Sequence, residues 1–226
     1  KIIFIDMFVY TFENINDIKS LKHSDSIKPK HQKKIDAIKN GLFSNFDYSS
    51  FKGKTPPKNE SLQTYNEMKY LQTLPEDKDY VEQKDDISKT FEAVCERNKV
   101  EFPKEMVEKL MDDSAGIILD LKYHHNRPRP GKLAEKYNIK LAEVILSSMK
   151  TPSYPSGHST QGYLIGHYLS EKFDNPKLAN EFMSEAKAIS KSRNIARAHY
   201  PSDSKLGEEL GKKMFRYIKN DVERKL

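Results

Sequence analysis

Three stretches of the chain carry residue types that could bind and react with an anion such as phosphate. The first contains Lys122, followed after six residues by the pair Arg129-Pro130. A lysine and an arginine held together by a proline-stiffened turn can chelate a phosphate, and arginine offers a planar pair of donors. Basic residues also cap helix C-termini, so this stretch alone leaves both interpretations open.

The second stretch is a loop that runs from Thr151 to Ser159 and contains two prolines and a glycine. These residues predict a tight turn, and the apolar spacing after it predicts a helix. Ser156, Gly157 and His158 would then lie at the start of that helix. Free N–H groups and the helix dipole favour a bound anion there, beside a titratable histidine.

The third stretch contains Arg193, His199 and Asp203. The apolar stripe of the preceding helix continues onto Arg193, so a guanidinium falls on the buried face and needs an anionic partner. A carboxylate four residues after a histidine can fix its tautomer and raise its basicity, as a nucleophile or base requires. A structural His–Asp pair in the core is the alternative.

Together these stretches resemble the signature of the type 2 phosphatidic acid phosphatase superfamily. The order and internal spacing of the three motifs agree over roughly residues 105 to 220. The run from Ser153 to His158 is also similar to the central motif of the soluble bacterial class A nonspecific acid phosphatases. The matching motifs are Lys122-(six residues)-Arg129-Pro130, Pro155-Ser156-Gly157-His158 and Ser192-Arg193-(five residues)-His199-(three residues)-Asp203.

The resemblance implies a mechanism. His199 would attack phosphorus to give a phosphohistidine, His158 would protonate the leaving oxygen, and Asp203 would orient His199. The phosphate oxygens would be held by fixed cations and backbone N–H groups, with no metal required. The binding residues it implies are Lys122, Arg129, Arg193, Ser156 and Gly157.

Some residues depart from the family pattern or add to it. Arg127-Pro128 duplicates the Arg-Pro pair, and the six-residue spacing selects Arg129. His124, His125 and Arg197 are extra basic residues, for which either substrate contact or solvent exposure is expected. The class A enzymes carry cysteines that this chain lacks, so both a periplasmic and a cytoplasmic location stay open.

Length and composition fit one globular domain with an extension. The chain has 226 residues, of which 36% are hydrophobic and 32% charged, and no stretch approaches the roughly 18 consecutive apolar residues of a membrane helix. The net charge of +6 favours anionic partners, and the one cysteine, Cys95, permits no intrachain disulfide.

Apolar spacing predicts an all-α bundle of the kind that the family adopts. We expect helices around Leu62–Leu71, around Ile87–Cys95, from Pro103 to beyond Leu121, and over Leu141–Ser148. Another begins at the cap Asn175-Pro176, and Ser202 can cap the last one. The third helix should bury the stripe Met106, Leu110, Ser114, Ile117 and Leu121.

Residues 1–60 do not match the family and are interpreted as an N-terminal extension packed on a helical domain at 61–226. Ile2 to Phe12 could be a strand or a short buried helix. Lys19 to Lys39 is lysine-rich and lacks aromatic residues, which favours a solvated surface over a nucleic-acid-binding arm. The aromatic residues that follow should anchor the extension: Phe43, Phe46, Tyr48 and Phe51.

The sequence therefore predicts a metal-independent phosphomonoester hydrolase that acts on a small phosphorylated substrate. We expect no cofactor, vanadate as a phosphate-mimicking inhibitor, and no nucleic-acid partner. Two alternatives remain open: a vanadium-dependent haloperoxidase, which would hold vanadate with the same residues, and a non-catalytic protein that binds phosphate or a phospholipid headgroup. The substrate, the oligomeric state and peripheral membrane contact are also left open.

Overall fold

The computed structural model describes residues 3–5, 8–10, 12–24 and 26–225, with side chains for 15–24 and 26–220. Within these ranges the chain is almost entirely helical, which confirms the predicted all-α class. The helices are α1 (Phe12–Ser20), α2 (Pro29–Asp36), α3 (Ser49–Lys52), α4 (Leu62–Thr73), α5 (Lys78–Gln83), α6 (Ile87–Arg97), α7 (Lys104–His125), α8 (Pro130–Lys136), α9 (Gly157–Phe173), α10 (Pro176–Ile195) and α11 (Pro201–Lys225). Two short 3-10 helices cover Ala37–Asn40 and Ser147–Lys150.

A small hairpin precedes the helices. Strands β1 (Ile3–Ile5) and β2 (Phe8–Tyr10) pair antiparallel, with Ile3 opposite Tyr10. The segment predicted as a strand or short buried helix therefore forms two short antiparallel strands where it is described, and its last residue, Phe12, begins α1. Ile2 and Thr11 lie outside the described residues, and the domain boundary at residue 60 stays a prediction.

The helix starts follow their capping residues. The side chain of Asn175 accepts hydrogen bonds from the N–H groups of Lys177 and Leu178, and Pro176 opens α10 as predicted. The start of α11 differs from the prediction, because the helix begins at Pro201 and Ser202 lies inside it. The hydroxyl and N–H of Ser202 are bonded to Glu67 instead of capping the helix.

Two further predictions about helices are wrong. Met106 is 40% exposed, and the buried stripe of α7 begins at Val107 instead, whereas the predicted burial of Leu110, Ser114, Ile117 and Leu121 is confirmed. Leu141–Ser148 contains only the first residues of a 3-10 helix. Here the N–H of Val144 donates to the carbonyl of Ala196, which holds this β-branched stretch extended along the end of α10.

The core is built around α9, which packs between α10 and α11. One face of α9 contacts Phe182 and Ile189 of α10, and the opposite face contacts Leu206 and Leu210 of α11. Gly207 lets α11 approach closely, because a Cβ there would lie 2.6 Å from the carbonyl oxygen of Ser156. This approach brings the start of α11 next to the start of α9.

The aromatic residues of the N-terminal region pack as predicted. Phe43, Phe46 and Phe51 are buried in the cluster formed by α7, α9 and α11, and Tyr48 packs at its edge. Cys95 is buried in the cluster between α6 and α10. The lysine-rich α2 buries none of its residues, as a solvated helix should.

Candidate active site

The three predicted motifs meet at one cavity of about 390 Å³. Lys122 comes from the last turn of α7, Arg129 is the residue before α8, and His199 follows α10. The first turn of α9 supplies Gly157 and His158. These five predicted residues line the cavity, whereas Asp203, Ser156 and Arg193 are not among its described lining residues.

His199 is held by partners on both ring nitrogens. Its Nδ1 lies 3.3 Å from Oδ2 of Asp203, and its Nε2 lies 2.9 Å from Nη1 of Arg129. A guanidinium can only donate, so Nε2 accepts and carries no proton. Nδ1 therefore holds the proton and donates it to Asp203, while the single lone pair of Nε2 accepts from Arg129.

The surroundings of His199 keep it neutral. Burial, together with the positive charges of Arg129 and Lys122, holds the pKa of His199 well below its usual value. A neutral imidazole with a fixed tautomer has the properties of a nucleophile, and its Nε2 lone pair would be released once Arg129 donated to an anion in the cavity instead.

Asp203 is buried behind His199 and all its hydrogen-bonding capacity is used. Oδ1 accepts from Arg127, and Oδ2 accepts from the Ser153 hydroxyl and from the Tyr200 N–H as well as from His199. Burial alone would raise the pKa of Asp203, but the charge of Arg127 and these hydrogen bonds outweigh it and hold the pKa well below the usual range. The carboxylate is therefore ionised and immobile.

Lys122 and Arg129 are buried cations, only 4% and 6% exposed. Lys122 donates to the carbonyl of Pro152 at 2.7 Å, and Arg129 donates to the carbonyls of Thr151 and Ala198 at 2.8 and 2.7 Å. Within the described residues no carboxylate lies at ion-pair distance from either cation. Burial lowers the pKa of Lys122 well below its usual value and that of Arg129 to about 10.

Such an arrangement is unfavourable without a ligand, because buried cations require negative charge nearby. Carbonyl dipoles orient the two side chains but do not neutralise them. An anion in the cavity would contact both and would restore the pKa of Lys122 toward its usual value.

Asp85 connects His158 with Arg193. Nε2 of His158 lies 3.1 Å from Oδ1 of Asp85, and Nη1 of Arg193 lies 2.5 Å from the same oxygen. Arg193 also donates to the carbonyl of Val81. The guanidinium is buried on an anionic partner, as its place on the apolar stripe predicts, but that partner is Asp85 and the side chain does not reach the cavity wall.

The same carboxylate sets the protonation of His158. Carboxylate and carbonyl oxygens of Asp85 can only accept, so Nε2 of His158 carries a proton. Burial lowers the pKa of His158, while the hydrogen bond from Asp85 acts in the opposite direction. The bond to His158 is the largest cause that lowers the pKa of Asp85 to about 2.

The start of α9 supplies backbone donors, but not the predicted pair. The N–H of Ser156 donates to the backbone carbonyl of Asp203, so it is not available to a ligand. The Ser156 hydroxyl caps the helix by accepting from the Ser159 N–H. Helix geometry leaves the N–H groups of Gly157 and His158 without intrahelical acceptors, so these two face an incoming anion.

The extra basic residues have structural partners. Arg127 pairs with Asp203 and Glu67, while Arg129 lines the cavity, in agreement with the six-residue spacing. His124 and His125 contact the backbone carbonyls of α3, and only His124 is exposed. The expectation of solvent exposure is wrong for Arg197, which is buried and donates to the carbonyls of Leu74 and Pro75.

Sequence reasoning missed several residues of this site. Asp85 holds the predicted histidine and stands in no recognisable motif, whereas Ser153, which holds the predicted carboxylate, begins the run that resembles the central motif but had no assigned role. Three residues of the lysine-rich α2 also line the cavity: Lys30, His31 and Lys34.

The helices that the structure describes include none with the length and apolar character that a bilayer crossing requires.

Similarity to known proteins is found among solved structures. No protein-family model matches the sequence, and no curated protein matches it significantly. Among solved structures, the chain is similar to the crystal structure of a bacterial vanadium-dependent iodoperoxidase, with 15% sequence identity and a TM-score of 0.48. The similarity covers 94% of this chain, which spans 55% of the length of that protein.

Proposed function

We propose that the protein is a phosphomonoester hydrolase that acts through a phosphohistidine intermediate. The observation that carries the proposal is the pair of buried cations, Lys122 and Arg129, that face a cavity without a carboxylate partner while a neutral histidine presents Nε2 to the same cavity. A tetrahedral dianion satisfies the cations and brings phosphorus to the nitrogen. The resemblance of the three motifs to the phosphatase superfamily supports the same assignment.

In the first step, Nε2 of His199 attacks phosphorus in line with the ester oxygen. The N–P bond forms as the P–O bond to the leaving group breaks. The leaving oxygen takes a proton from His158 in its imidazolium form. Asp203 stabilises the positive charge that develops on His199, because it already accepts the Nδ1 proton.

In the second step, water attacks the phosphohistidine. His158, now neutral, accepts a proton from that water as the N–P bond breaks, which regenerates His199 and releases inorganic phosphate. Lys122, Arg129 and the N–H groups of Gly157 and His158 stabilise the equatorial oxygens in both steps. Arg193 would join them if it exchanged Asp85 for a phosphate oxygen.

The primary test is hydrolysis of p-nitrophenyl phosphate in the presence of EDTA. We expect turnover by the wild type and a loss of at least about a thousandfold in kcat for His199→Ala, since the nucleophile is removed. His124→Ala is the matched control, because this exposed histidine contacts the backbone of α3 and not the cavity. Quenching with alkali during turnover should trap an alkali-stable, acid-labile phosphoprotein in the wild type only.

Three outcomes would contradict the proposal. Turnover that disappears in EDTA would indicate a metal-dependent reaction. Turnover that survives His199→Ala unchanged would exclude this nucleophile. Tight phosphate binding without turnover would favour the non-catalytic binding protein.

A further inference from the structure

The lysine-rich helix α2 forms one wall of the candidate active-site cavity. Lys30, His31 and Lys34 line it together with Lys122 and Arg129. None of the described residues that line the cavity is acidic: Ala115, Ile118, Leu119, Ser148 and Gln161 complete it, with the α9 residues and His199. Positive charge therefore extends beyond the space that one phosphate would fill.

Helix α2 has a defined place on α7. Gly116 permits direct contact, because a Cβ there would overlap the carbonyl oxygen of Lys34 and would lie 2.6 Å from Cγ1 of Ile38. At the other end of α2, Nδ1 of His31 lies 2.7 Å from the Tyr123 hydroxyl. Two contacts at opposite ends of the helix fix the positions from which Lys30 and Lys34 extend.

The chain before α2 is tied to the site as well. Asn126, in the left-handed region with φ 49°, accepts from the N–H of Ser24 and donates to its carbonyl. The backbone N–H of His23 donates to the carbonyl of Asn126. Burial and the nearby charge of Arg129 lower the pKa of His23 to about 4, as expected beside a cationic site.

The two lysines of α2 that line the cavity, Lys30 and Lys34, have little negative charge near them. Lys30 has no hydrogen bond or ion pair in the described part of the chain. Lys34 lies 3.9 Å from Asp112, and both of these side chains are more than half exposed. A pair this open to solvent is weak, so a ligand can displace it.

The separation of the two cationic groups indicates the size of the ligand. Ala115, Ile118, Leu119 and Lys122 form one face of α7, and seven residues at about 1.5 Å each span about 10 Å. Lys34 lies beside Gly116, and Lys30 is one turn closer to the His31–Tyr123 contact. The Nζ of Lys34 lies near Asp112, ten residues before Lys122 in α7, so two anionic groups of one molecule would be separated by roughly 5 to 15 Å.

We infer that the preferred substrate is a small bisphosphorylated compound, whose second phosphate group binds Lys30 and Lys34 while the first lies between Lys122, Arg129 and His199. That this compound is a substrate rests on the proposed phosphatase function, whereas the binding of its second phosphate group to Lys30 and Lys34 does not depend on turnover. A soluble compound fits better than a membrane surface, because both sets of cations face one concave cavity.

The test uses two ligands that cannot be hydrolysed: a short alkane with a phosphonate at each end, and the matching alkane with one phosphonate. Calorimetry on the full chain should show that the wild type binds the bisphosphonate at least about tenfold more tightly. The variant Lys30→Ala/Lys34→Ala should lose that preference. The preference of the wild type should also decline with added salt, since the lysines are exposed.

The control variant Lys33→Ala/Lys39→Ala removes the same charge from exposed lysines of the same segment that do not line the cavity. It should keep the wild-type preference. Equal binding of both ligands by the wild type would overturn the inference, and so would an equal loss in the control. An effect of Lys30→Ala/Lys34→Ala on binding to anionic phospholipid vesicles, but not to the bisphosphonate, would overturn it in favour of a membrane surface.

Turnover of p-nitrophenyl phosphate by the same preparations separates the two proposals. A bisphosphonate preference without turnover would contradict the phosphatase and retain the second phosphate site. Turnover without any such preference would support the phosphatase and contradict the second phosphate site.

Discussion

Nη1 of Arg127 lies 2.6 Å from Oδ1 of Asp203, and both side chains are almost completely buried. The guanidinium also stacks on the Tyr200 ring, with its carbon 3.7 Å from the ring centre. Arg127 thus holds the carboxylate from the side opposite His199. Arg127 and Arg129 are separated by a single proline, but they have different roles. Arg129 lines the cavity, whereas Arg127 fixes Asp203, which orients the candidate nucleophile.

Arg127→Ala should reduce both stability and activity. The substitution leaves Asp203 buried without its cation, and breaking a buried pair of this kind costs about 3 to 5 kcal/mol. Guanidinium chloride unfolding would measure the loss. Arg97→Ala is the control, because its ion pair with Glu181 at 3.1 Å involves a side chain that is 59% exposed, and such pairs contribute about 0 to 1 kcal/mol. Equal losses for both variants would contradict the assigned role of Arg127.

Asp85→Asn should change the pH dependence of hydrolysis. His158 acts as the acid only when it is protonated, and its pKa is already lowered by burial. Removal of the Asp85 carboxylate lowers that pKa further, so activity should be lost at lower pH on the alkaline side of the kcat/KM profile.

Asp86→Asn is the matched control for this profile. Asp86 caps α6 by accepting from the Lys89 N–H, and asparagine caps helices as well as aspartate does. Its profile should match the wild type. An alkaline limb that stays in place, or moves to higher pH, in Asp85→Asn would show that Asp85 does not tune His158.

Folding stability should fall as the pH is lowered from about 6.5 toward 4. The pKa values of His23 and His125 are lowered to about 4, mainly by burial. Below 6.5 the unfolded chain binds protons that the folded chain excludes, so the free energy of unfolding decreases with falling pH until the folded imidazoles also titrate. Denaturant unfolding at several pH values would measure the slope.

His125→Gln should make that slope smaller, because one buried imidazole no longer contributes. His124→Gln removes the neighbouring exposed imidazole and serves as the control. The same slope in wild type and His125→Gln would exclude a contribution from this buried group.

Vanadate should inhibit hydrolysis competitively, since it adopts the geometry of the transferring phosphoryl group and needs the same cations. Lys122→Met should weaken inhibition at least about tenfold, because a charge-assisted contact in a buried site is lost. Lys52→Met, which removes a partly exposed lysine paired with Asp120, should leave it unchanged. Oxidation of bromide by peroxide after vanadate loading would instead support the haloperoxidase alternative.

Gly116→Ala and Gly162→Ala should shift stability in opposite directions. Both replace a glycine within a helix, which favours the helix by up to about 1 kcal/mol. The new methyl group at Gly116 collides with α2, whereas the nearest atom at Gly162 is 3.4 Å away. We expect Gly116→Ala to destabilise by about 1 to 3 kcal/mol and to speed hydrogen exchange in α2. Stabilisation by both would show that α2 does not rest on α7.

The predictable part of the site lies within short stretches of sequence. The apolar stripe of α10 continues onto Arg193, so the burial of this side chain follows from local periodicity, whereas Lys122 and Arg129 were indicated by motif spacing without their burial. The partner of Arg193 does not follow in this way. Asp85 comes from the turn before α6, and only tertiary packing brings it to Arg193 and His158.

The errors have related causes. Leu141–Ser148 has enough apolar residues for a helix, but its backbone bonds to the end of α10, and no local signal reports that contact. Serine commonly caps helices, yet the hydroxyl of Ser202 donates its hydrogen bond to Glu67 of α4. The sequence predicts only a solvated surface for the lysines of α2, because nothing local indicates that the fold places Lys30 and Lys34 beside the cavity.

The position of α2 also bears on how such a protein could change over evolutionary time. This helix precedes the motif residues in the chain and meets them only across an open space, so its side chains can be exchanged without disturbing the His199–Asp203 hydrogen bond. Under the two proposals above, selectivity and reactivity would be encoded in separate regions of the sequence, and either could diversify while the other stays fixed.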